Sequence, residues 1–248
     1  MIEIKNIHKS FEDNHVLKNI SFKFEKGKTN LIIGESGSGK TTLLRILIGL
    51  HKIDQGEVLY DGRDFNQLNS KDKRKLRQEI GVLFQRGALY DFMNVEENIM
   101  FPLTMFTNQS YEEKIERVNN CLARVNLQNN NKLKISELSG GMMKRVSIAR
   151  AIVMKPKYLL CDEPNSGLDP RTAIIIDNLI KEISINLEYF KPDCEESLYY
   201  NLYGNLEGKI ENNLRLVKKN GKWKSNLFMH YSLYDAEIDN NDDGFLDM

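Results

Sequence analysis

Gly34-Glu35-Ser36-Gly37-Ser38-Gly39-Lys40-Thr41 satisfies every fixed position of the pattern G-x-x-x-x-G-K-[ST]. Leu31-Ile32-Ile33 before it reads as a buried strand, and from Thr42 to Leu50 the chain continues as an apolar helix that Gly49 helps to end. Strand, glycine loop and helix together bring backbone N–H groups and a helix N-terminus onto phosphate. The pattern therefore implies a site for a nucleoside triphosphate with magnesium. Lys40 is the residue expected to neutralise the β- and γ-phosphates, and Thr41 to offer its hydroxyl to Mg²⁺. The glycines let the backbone approach, and Gly34, Glu35, Ser36, Gly37, Ser38, Gly39 and Thr42 complete the expected ATP-binding loop.

The rest of the composition sets bounds without naming a partner. With 248 residues, 41% of them hydrophobic, the chain can bury a substantial core. Lys+Arg and Asp+Glu stand at 35 each, so no overall charge asymmetry points to nucleic acid or an anionic membrane, and no nucleic-acid partner is expected. Met1-Ile2-Glu3-Ile4-Lys5 lacks the apolar core of a signal peptide, and no apolar run has bilayer length, so a cytoplasmic, soluble ATP-binding part is expected. Cys121, Cys161 and Cys194 are too far apart for a Cys-x-x-Cys pair, and Cys161 reads as a core residue.

Working outward, alternation at Ile2 and Ile4 and again at Phe22 and Phe24, with Glu12-Asp13-Asn14 between, predicts that the fold opens with antiparallel β structure. Tyr60-Asp61-Gly62 reads as a turn, a charged helix begins at Ser70, and Ile80-Gly81-Val82-Leu83-Phe84 reads as a short strand ending at Gln85. From Val95 to Ile135 the pattern is helical and polar, which predicts an inserted helical subdomain over about 86–138. A helix from Ser139 runs through Val146, Ile148, Ala149 and Ile152 to Pro156, and Tyr158-Leu159-Leu160-Cys161 is a wholly apolar strand ending in Asp162-Glu163. Strand following helix, repeatedly, predicts an α/β fold with a parallel sheet.

Two adjacent carboxylates at a strand end complement the glycine loop. Asp162 is placed to hold magnesium through water and Glu163 to polarise an attacking water, and phosphoryl transfer asks for little beyond such positioning and charge stabilisation. Standing alone, the pair would read equally well as a solvated strand end. Leu138-Ser139-Gly140-Gly141-Met142 opens a second helix with paired glycines behind a serine hydroxyl, which makes a second anion site. The first loop already cradles the phosphates, so the economical resolution is a homodimer in which Ser139, Gly140 and Gly141 cap the γ-phosphate held by the partner. The plainer alternative is an N-capped helix with a flexible lead-in.

In these residues the chain resembles the ATP-binding cassette family, from Met1 to about Leu187. Residues 34–41 match its Walker A motif, Gln85 its Q-loop, 138–142 its signature, 158–163 its Walker B motif, and Ser166-Gly167-Leu168-Asp169 its D-loop, in the family's order. The resemblance implies an α/β P-loop NTPase, ATP and Mg²⁺ as cofactors, Glu163, Gln85 and Lys40 as catalytic residues, and Thr41, Gln85 and Asp162 as the magnesium set. It also implies that Phe11 stacks on adenine, although such a Phe equally reads as a core residue. Met142 stands where most cassette ATPases have Gln. Phe84-Gln85-Arg86-Gly87-Ala88-Leu89, with Asn98 and Phe101-Pro102-Leu103, looks like the ATPases of Mla or MCE-associated lipid transport systems. That likeness implies a homodimer peripheral to the inner membrane, driving a permease that moves phospholipid and touches residues after Gln85. The ATPase of an amino-acid or lipoprotein-type importer or exporter is the close alternative.

Beyond the D-loop the family pattern breaks. Residues 177–187 supply a helix, yet Glu188-Tyr189-Phe190-Lys191-Pro192-Asp193-Cys194-Glu195-Glu196 offers neither the buried strand nor the switch histidine that the family implies. His8, His15 and His51 lie upstream, and His230 is far out of register. From Leu198 to Ile210 apolar residues fall on one face of an extended strand, and a hairpin turned by Asn220-Gly221 follows through Trp223, Leu227, Met229 and Tyr231. This β-rich tail resembles a piece of a TonB-dependent receptor barrel, or else a divergent hairpin that completes the ATPase. The expected division is an ATPase domain over 1–187, incomplete at its C-terminal end, and an atypical β-hairpin tail over 188–248 joined by fusion, frameshift or assembly error. Asp239-Asn240-Asn241-Asp242-Asp243-Gly244 begins like a calcium loop but lacks the final bidentate acid, and reads as an acidic turn.

Three functions follow from these expectations. The first is an ATP-hydrolysing transporter subunit, the second is a chain that binds ATP but turns it over poorly for want of the histidine, and the third, non-enzymatic, makes the tail an interaction or barrel module. DNA-repair or chromosome-structuring cassette ATPases are disfavoured, because no heptad stretch lies between Gln85 and Ser139.

Overall fold

Alternating burial of Ile2, Ile4 and Ile7, and of Leu17, Ile20 and Phe22, gives two long strands one apolar face each, β1 (Ile2–Phe11) and β2 (Asn14–Lys23). They pair antiparallel, as the sequence predicts. The computed structural model describes residues 1–25, 29–186, 198–202, 209–219 and 222–232. Among these, β3 (Thr29–Ile33) leads through the glycine loop into α1 (Lys40–Leu47). β4 (Gln55–Tyr60) and β5 (Arg63–Asp64) then join the first sheet in the order β2-β1-β4-β5. Asp61 and Gly62 both have positive φ (+48° and +78°), the signature of a two-residue turn whose twist suits a hairpin.

α2 (Ser70–Gln78) precedes β6 (Ile80–Leu83), and α3 (Val95–Phe106), α4 (Tyr111–Arg124) and a short 3₁₀ turn at Ile135–Glu137 form the helical part. Both α3 and α4 start with reciprocal capping boxes, Asn94 with Glu97 and Ser110 with Glu113. α5 (Gly140–Ile152) leads into β7 (Tyr158–Asp162), and α6 (Pro170–Asn186) follows, its first turn capped where Thr172 N donates to Asp169 Oδ1 at 3.0 Å. This helix begins earlier than position 177, where the sequence reading started it.

The second sheet runs β10-β9-β3-β8-β7-β6, with β8 (Leu198–Leu202), β9 (Lys209–Lys219) and β10 (Lys222–Ser232) drawn from the tail. This corrects two expectations. The central strand, for which the sequence of 188–196 offered no candidate, is supplied by Leu198–Leu202, seated in parallel between β3 and β7 with Tyr199 opposite both Thr29 and Leu159. The run from Leu198 to Ile210 is not one extended strand either, because β8 and β9 flank β3 on opposite sides. Alternation misled because a short run of period 2 cannot say which neighbour a strand will choose. β9 and β10 do pair antiparallel, from Lys219 opposite Lys222 onward. Parallel pairing of β8 and β9 with β3 is not the up-and-down arrangement of a receptor barrel. The Asn220-Gly221 turn, Cys194 and the acidic stretch from Asp239 lie outside the described residues.

β7 is buried along its whole length and divides two cores. Leu159 and Cys161 pack with Val95, Ile99, Val146 and Ile180 on the helical side, while Tyr158 and Leu160 pack with Leu43, Leu44 and Phe24 beside the antiparallel sheet. Burial on both faces explains why the strand reads as a continuous apolar run. Asp162, its last residue, and Glu163, the next, are thereby held at the C-terminal end of an interior strand. Among the described residues no helix is long and apolar enough to cross a membrane.

Candidate functional site

The glycine loop folds back on its own lysine. Lys40 Nζ donates to the carbonyls of Gly34 and Glu35 at 2.7 and 2.9 Å, and the residue as a whole is buried. Gly37 and Gly39 have φ of +75° and +94°, a region that L side chains rarely enter. A Cβ on Gly39 would also stand 2.9 Å from Leu17 Cδ2, so this position excludes side chains on two counts. No side chain caps α1 at Gly39, and no acid occupies its first turn. The positive end of the helix is thus left to a ligand.

At the facing strand end, Thr41 Oγ1 lies 3.4 Å from Asp162 Oδ1. Asp162 is 4% exposed. Burial pushes its carboxyl above the ordinary range and Glu163 adds to this, while the Thr41 hydroxyl, Arg45 and Lys40 pull the other way. Two hard oxygens, one on a carboxylate whose charge is poorly compensated, suit a divalent cation and make the residues fit Mg²⁺. Glu163 has φ +44°, an unusual conformation outside glycine, and its Oε2 accepts from Gln85 Nε2, which also donates to Ser166 Oγ at 3.1 Å. The Gln85 side chain thus bridges the end of β6 to the loop after β7.

One cleft of about 750 Å³ is lined by Phe11, Val16, Ser36, Gly37, Gly39, Lys40, Thr41, Thr42, Gln85, Glu163, Asn165 and Ser166, and Asp162 lies buried behind Thr41 without lining it. The size of the cleft lies within the range of small-molecule and cofactor sites. Phe11 is 40% exposed at the end of β1, with His51 edge-on at 5.3 Å and Lys9 Nζ 5.1 Å from its ring, so it is not a core residue. Gly34, Glu35 and Ser38 belong to the loop without lining the cleft, the first two serving as acceptors for Lys40.

Ser139, Gly140 and Gly141 are not among the lining residues. Ser139 caps α5 by accepting from Met142 N at 3.2 Å, and the glycines approach Leu168, just before α6, and Thr172, in its first turn. A Cβ on Gly141 would meet Thr172 Cγ2 at 2.8 Å. Within one chain, then, the two glycine-opened helix ends are separate.

Sequence reasoning missed Lys144, Val16 and Asn165. Lys144, only 6% exposed, donates to the carbonyl of Gln85 and lies 3.5 Å from that of Glu163. Burial lowers the proton affinity of its amine, and the neighbouring Cys161, Asp162 and Glu163 oppose that. A lysine between Met143 and Arg145 reads as solvent-facing; the one available signal was its place in line with the apolar positions of α5. Asn165 donates from Nδ2 to Asp177 Oδ1 at 2.7 Å while its own buried Oδ1 has no partner, and it borders the cleft.

The profile of the ABC transporter family matches residues 17–166. The methionine import ATP-binding protein MetN of Clostridium acetobutylicum is 43% identical over 187 residues, 75% of this chain and 58% of that protein. The probable ribonucleotide transport ATP-binding protein mkl of Mycobacterium leprae is 37% identical over 187 residues, 75% of this chain and 54% of that protein. The chain spans little more than half the length of these curated relatives. Among solved structures, the dimeric post-hydrolysis state of the ATP-binding cassette MJ0796 bound to ADP and Pi superposes with a TM-score of 0.77 at 28% identity, covering 92% of this chain and 98% of that one. cbiO1 of Clostridium perfringens, part of the transporter complex cbiONQ, also gives 0.77, at 26% identity over 96% and 91% of the two chains.

Proposed function

The chain belongs to the ABC transporter family, and we propose that it is an ATP-binding and ATP-hydrolysing subunit that drives a membrane permease from the cytoplasmic face as a homodimer. The observation that carries this reading is the convergence, in one cleft, of the uncapped N-terminus of α1, Lys40, Thr41 and the Gln85–Glu163 pair, with Asp162 buried behind Thr41 within reach of its hydroxyl. Lys40 and the loop N–H groups bind the triphosphate, Thr41 and Asp162 hold magnesium with Gln85 beside them, and Phe11 offers its exposed ring to the base. Bound Mg²⁺ would supply charge neutralisation for the phosphoryl group. Glu163 accepts a proton from the attacking water, and Gln85 orients Glu163 through its amide. Ser139, Gly140 and Gly141, lying outside their own chain's cleft, serve the cleft of the second copy.

For the cargo, the relatives' names favour a small-solute importer of the amino-acid type. Phospholipid remains the second reading, supported by Met142 and the residues around Gln85 rather than by those names. A chain that binds ATP with little turnover is favoured by one observation: the strand between β3 and β7 is Leu-Tyr-Tyr-Asn-Leu, while His230 sits on β10, separated from β3 by β9. ATP hydrolysis by the purified chain separates these cases. Magnesium-dependent turnover that is lost in Lys40→Ala supports the proposed function; tight ATP binding with no turnover would replace it with the binding-only reading.

A further inference from the structure

α5 grips the loop that follows β6 with several side chains on one face. Lys144 Nζ donates to the carbonyl of Gln85, Arg150 Nη2 to that of Gly87 at 2.6 Å, and Arg150 Nη1 to that of Ala88 at 2.8 Å. Ser147 lies between them, and a Cβ on Gly87 would stand 2.5 Å from its Oγ. Positions 144 and 147 are one helical turn apart, and 150 the next, so they share a face. The gripped loop is not a relaxed one: Gly87 has φ +73° and Ala88 +51°, the latter a conformation an alanine keeps only when its surroundings hold it.

Lys144 does more than hold this loop. Its ammonium also approaches the Glu163 carbonyl, so one buried cation spans the two segments whose side chains, Gln85 and Glu163, hydrogen-bond to each other in the cleft. A buried lysine that serves only packing is a poor choice, since an apolar side chain of similar length fills the space without desolvating a charge. Here the charge meets two backbone carbonyls that belong to different loops.

We propose that Lys144, seconded by Arg150, is a positioning residue that ties Gln85 and Glu163 to α5, so that a displacement of the glycine-opened end of α5 is transmitted to the groups that face the γ-phosphate. The proposal rests on the reading of Gln85 and Glu163 as hydrolytic residues. Its geometry makes α5 a rigid lever, with Ser139 and the glycines at one end and the grip on Gln85, Gly87, Ala88 and Glu163 along its length. Engagement of the exposed end by another molecule's nucleotide then alters hydrolysis in this chain's own cleft without any contact between the two nucleotides.

The test compares the full chain with Lys144→Met, Lys144→Arg and Arg150→Lys. In Lys144→Met the affinity for ATP stays within about twofold while kcat falls by about tenfold to a hundredfold, the cost of a small misplacement of reacting groups. Lys144→Arg, which keeps a cation on the carbonyls, recovers most of kcat. Hydrogen exchange of amides over 85–88 accelerates in Lys144→Met, with α1 unchanged. Unchanged kcat and unchanged exchange in Lys144→Met overturn the proposal, as does a parallel loss of ATP affinity, stability and kcat that Lys144→Arg does not repair. If Lys144→Met fails to fold, Arg150→Lys decides: faster exchange at 87–88 with reduced kcat supports the grip, and wild-type values in both refute it. If the unaltered chain binds ATP without hydrolysing it, the proposed function fails separately, and exchange over 85–88 alone decides for or against the lever.

Discussion

The N-termini of α1 and α5 are both opened by glycine, yet one is left uncapped inside the cleft and the other is capped by Ser139 outside it. At α1 the loop places Lys40, Thr41 and the backbone around a positive helix end that no side chain caps. At α5 the serine takes up an N–H of the first turn, and Gly140 and Gly141 keep the surface low beside α6. The difference teaches that the same local chemistry serves two addresses. On the proposed function, the α1 end serves a nucleotide in its own chain and the α5 end one brought by another copy.

Removing the α1 charge is the strongest way to break the comparison. Lys40→Ala should weaken ATP binding by about 3 kcal/mol, roughly a hundredfold, because charge-assisted contacts to phosphate are lost. Calorimetric titration with ATP checks this, and near-native affinity would remove Lys40 from the site. Glu163→Gln should cut turnover by about 10²- to 10³-fold, as expected for loss of a proton acceptor, while ATP affinity holds. A single-turnover assay distinguishes it from Lys40→Ala, which loses both.

Ser139→Ala sharpens the comparison from the other side. Loss of the cap costs about 1 kcal/mol of helix stability. Affinity for ATP in the isolated chain should not change, whereas Thr41→Ala should weaken it in the presence of Mg²⁺. Equal effects of the two substitutions on ATP affinity would place both helix ends in one cleft.

The smallest effect belongs to the other end of β7, far from the cleft. Asp61 accepts from Lys157, from the Met1 amine and from the Tyr158 hydroxyl. Burial alone would raise its pKa, but these donors outweigh it and hold the carboxylate well below its ordinary value of 3.8. The unfolded chain therefore binds a proton more readily than the folded one, so the stabilisation is full above that ordinary value and is lost as pH falls toward the lower folded value. Asp61→Asn should lower Tm at pH 7 with no effect on ATP affinity, and the difference should shrink as pH drops below 3.8. A Tm difference that persists undiminished in acid would show that Asp61 acts through packing rather than charge.

Much of this site was legible in the residues themselves. Glycine, lysine and threonine at fixed spacing admit few conformations, and a strand buried on both faces shows itself as Tyr158-Leu159-Leu160-Cys161, so the sequence places Lys40, Thr41, Asp162 and Glu163 close together, as the structure has them. For Ser139, Gly140 and Gly141 the residues left two readings, a cap for a partner's phosphate and an N-capped helix start; the structure shows the N-cap, with Met142 N donating to Ser139 Oγ, and sets these residues outside the cleft's lining. Phe11 was not decidable, because an aromatic at a strand end looks alike whether it is buried or borders a cavity. Lys144 was hidden by its charge, which hydropathy counts as solvent-facing even when two backbone carbonyls receive it. The place of Leu198–Leu202 was illegible for another reason: Leu-Tyr-Tyr-Asn-Leu carries little of the apolar signal of a central strand, and its partners β3 and β7 lie far away in sequence.

The central claim is that the α1 end of one copy and the α5 end of another complete a single ATP site. Sedimentation of the Glu163→Gln chain, with and without saturating MgATP, tests it most directly. The account predicts a monomer that becomes a dimer only with ATP, and a loss of that dimer when Ser139→Ala and Gly141→Val are added. A chain that binds ATP at full occupancy and remains a monomer would contradict it.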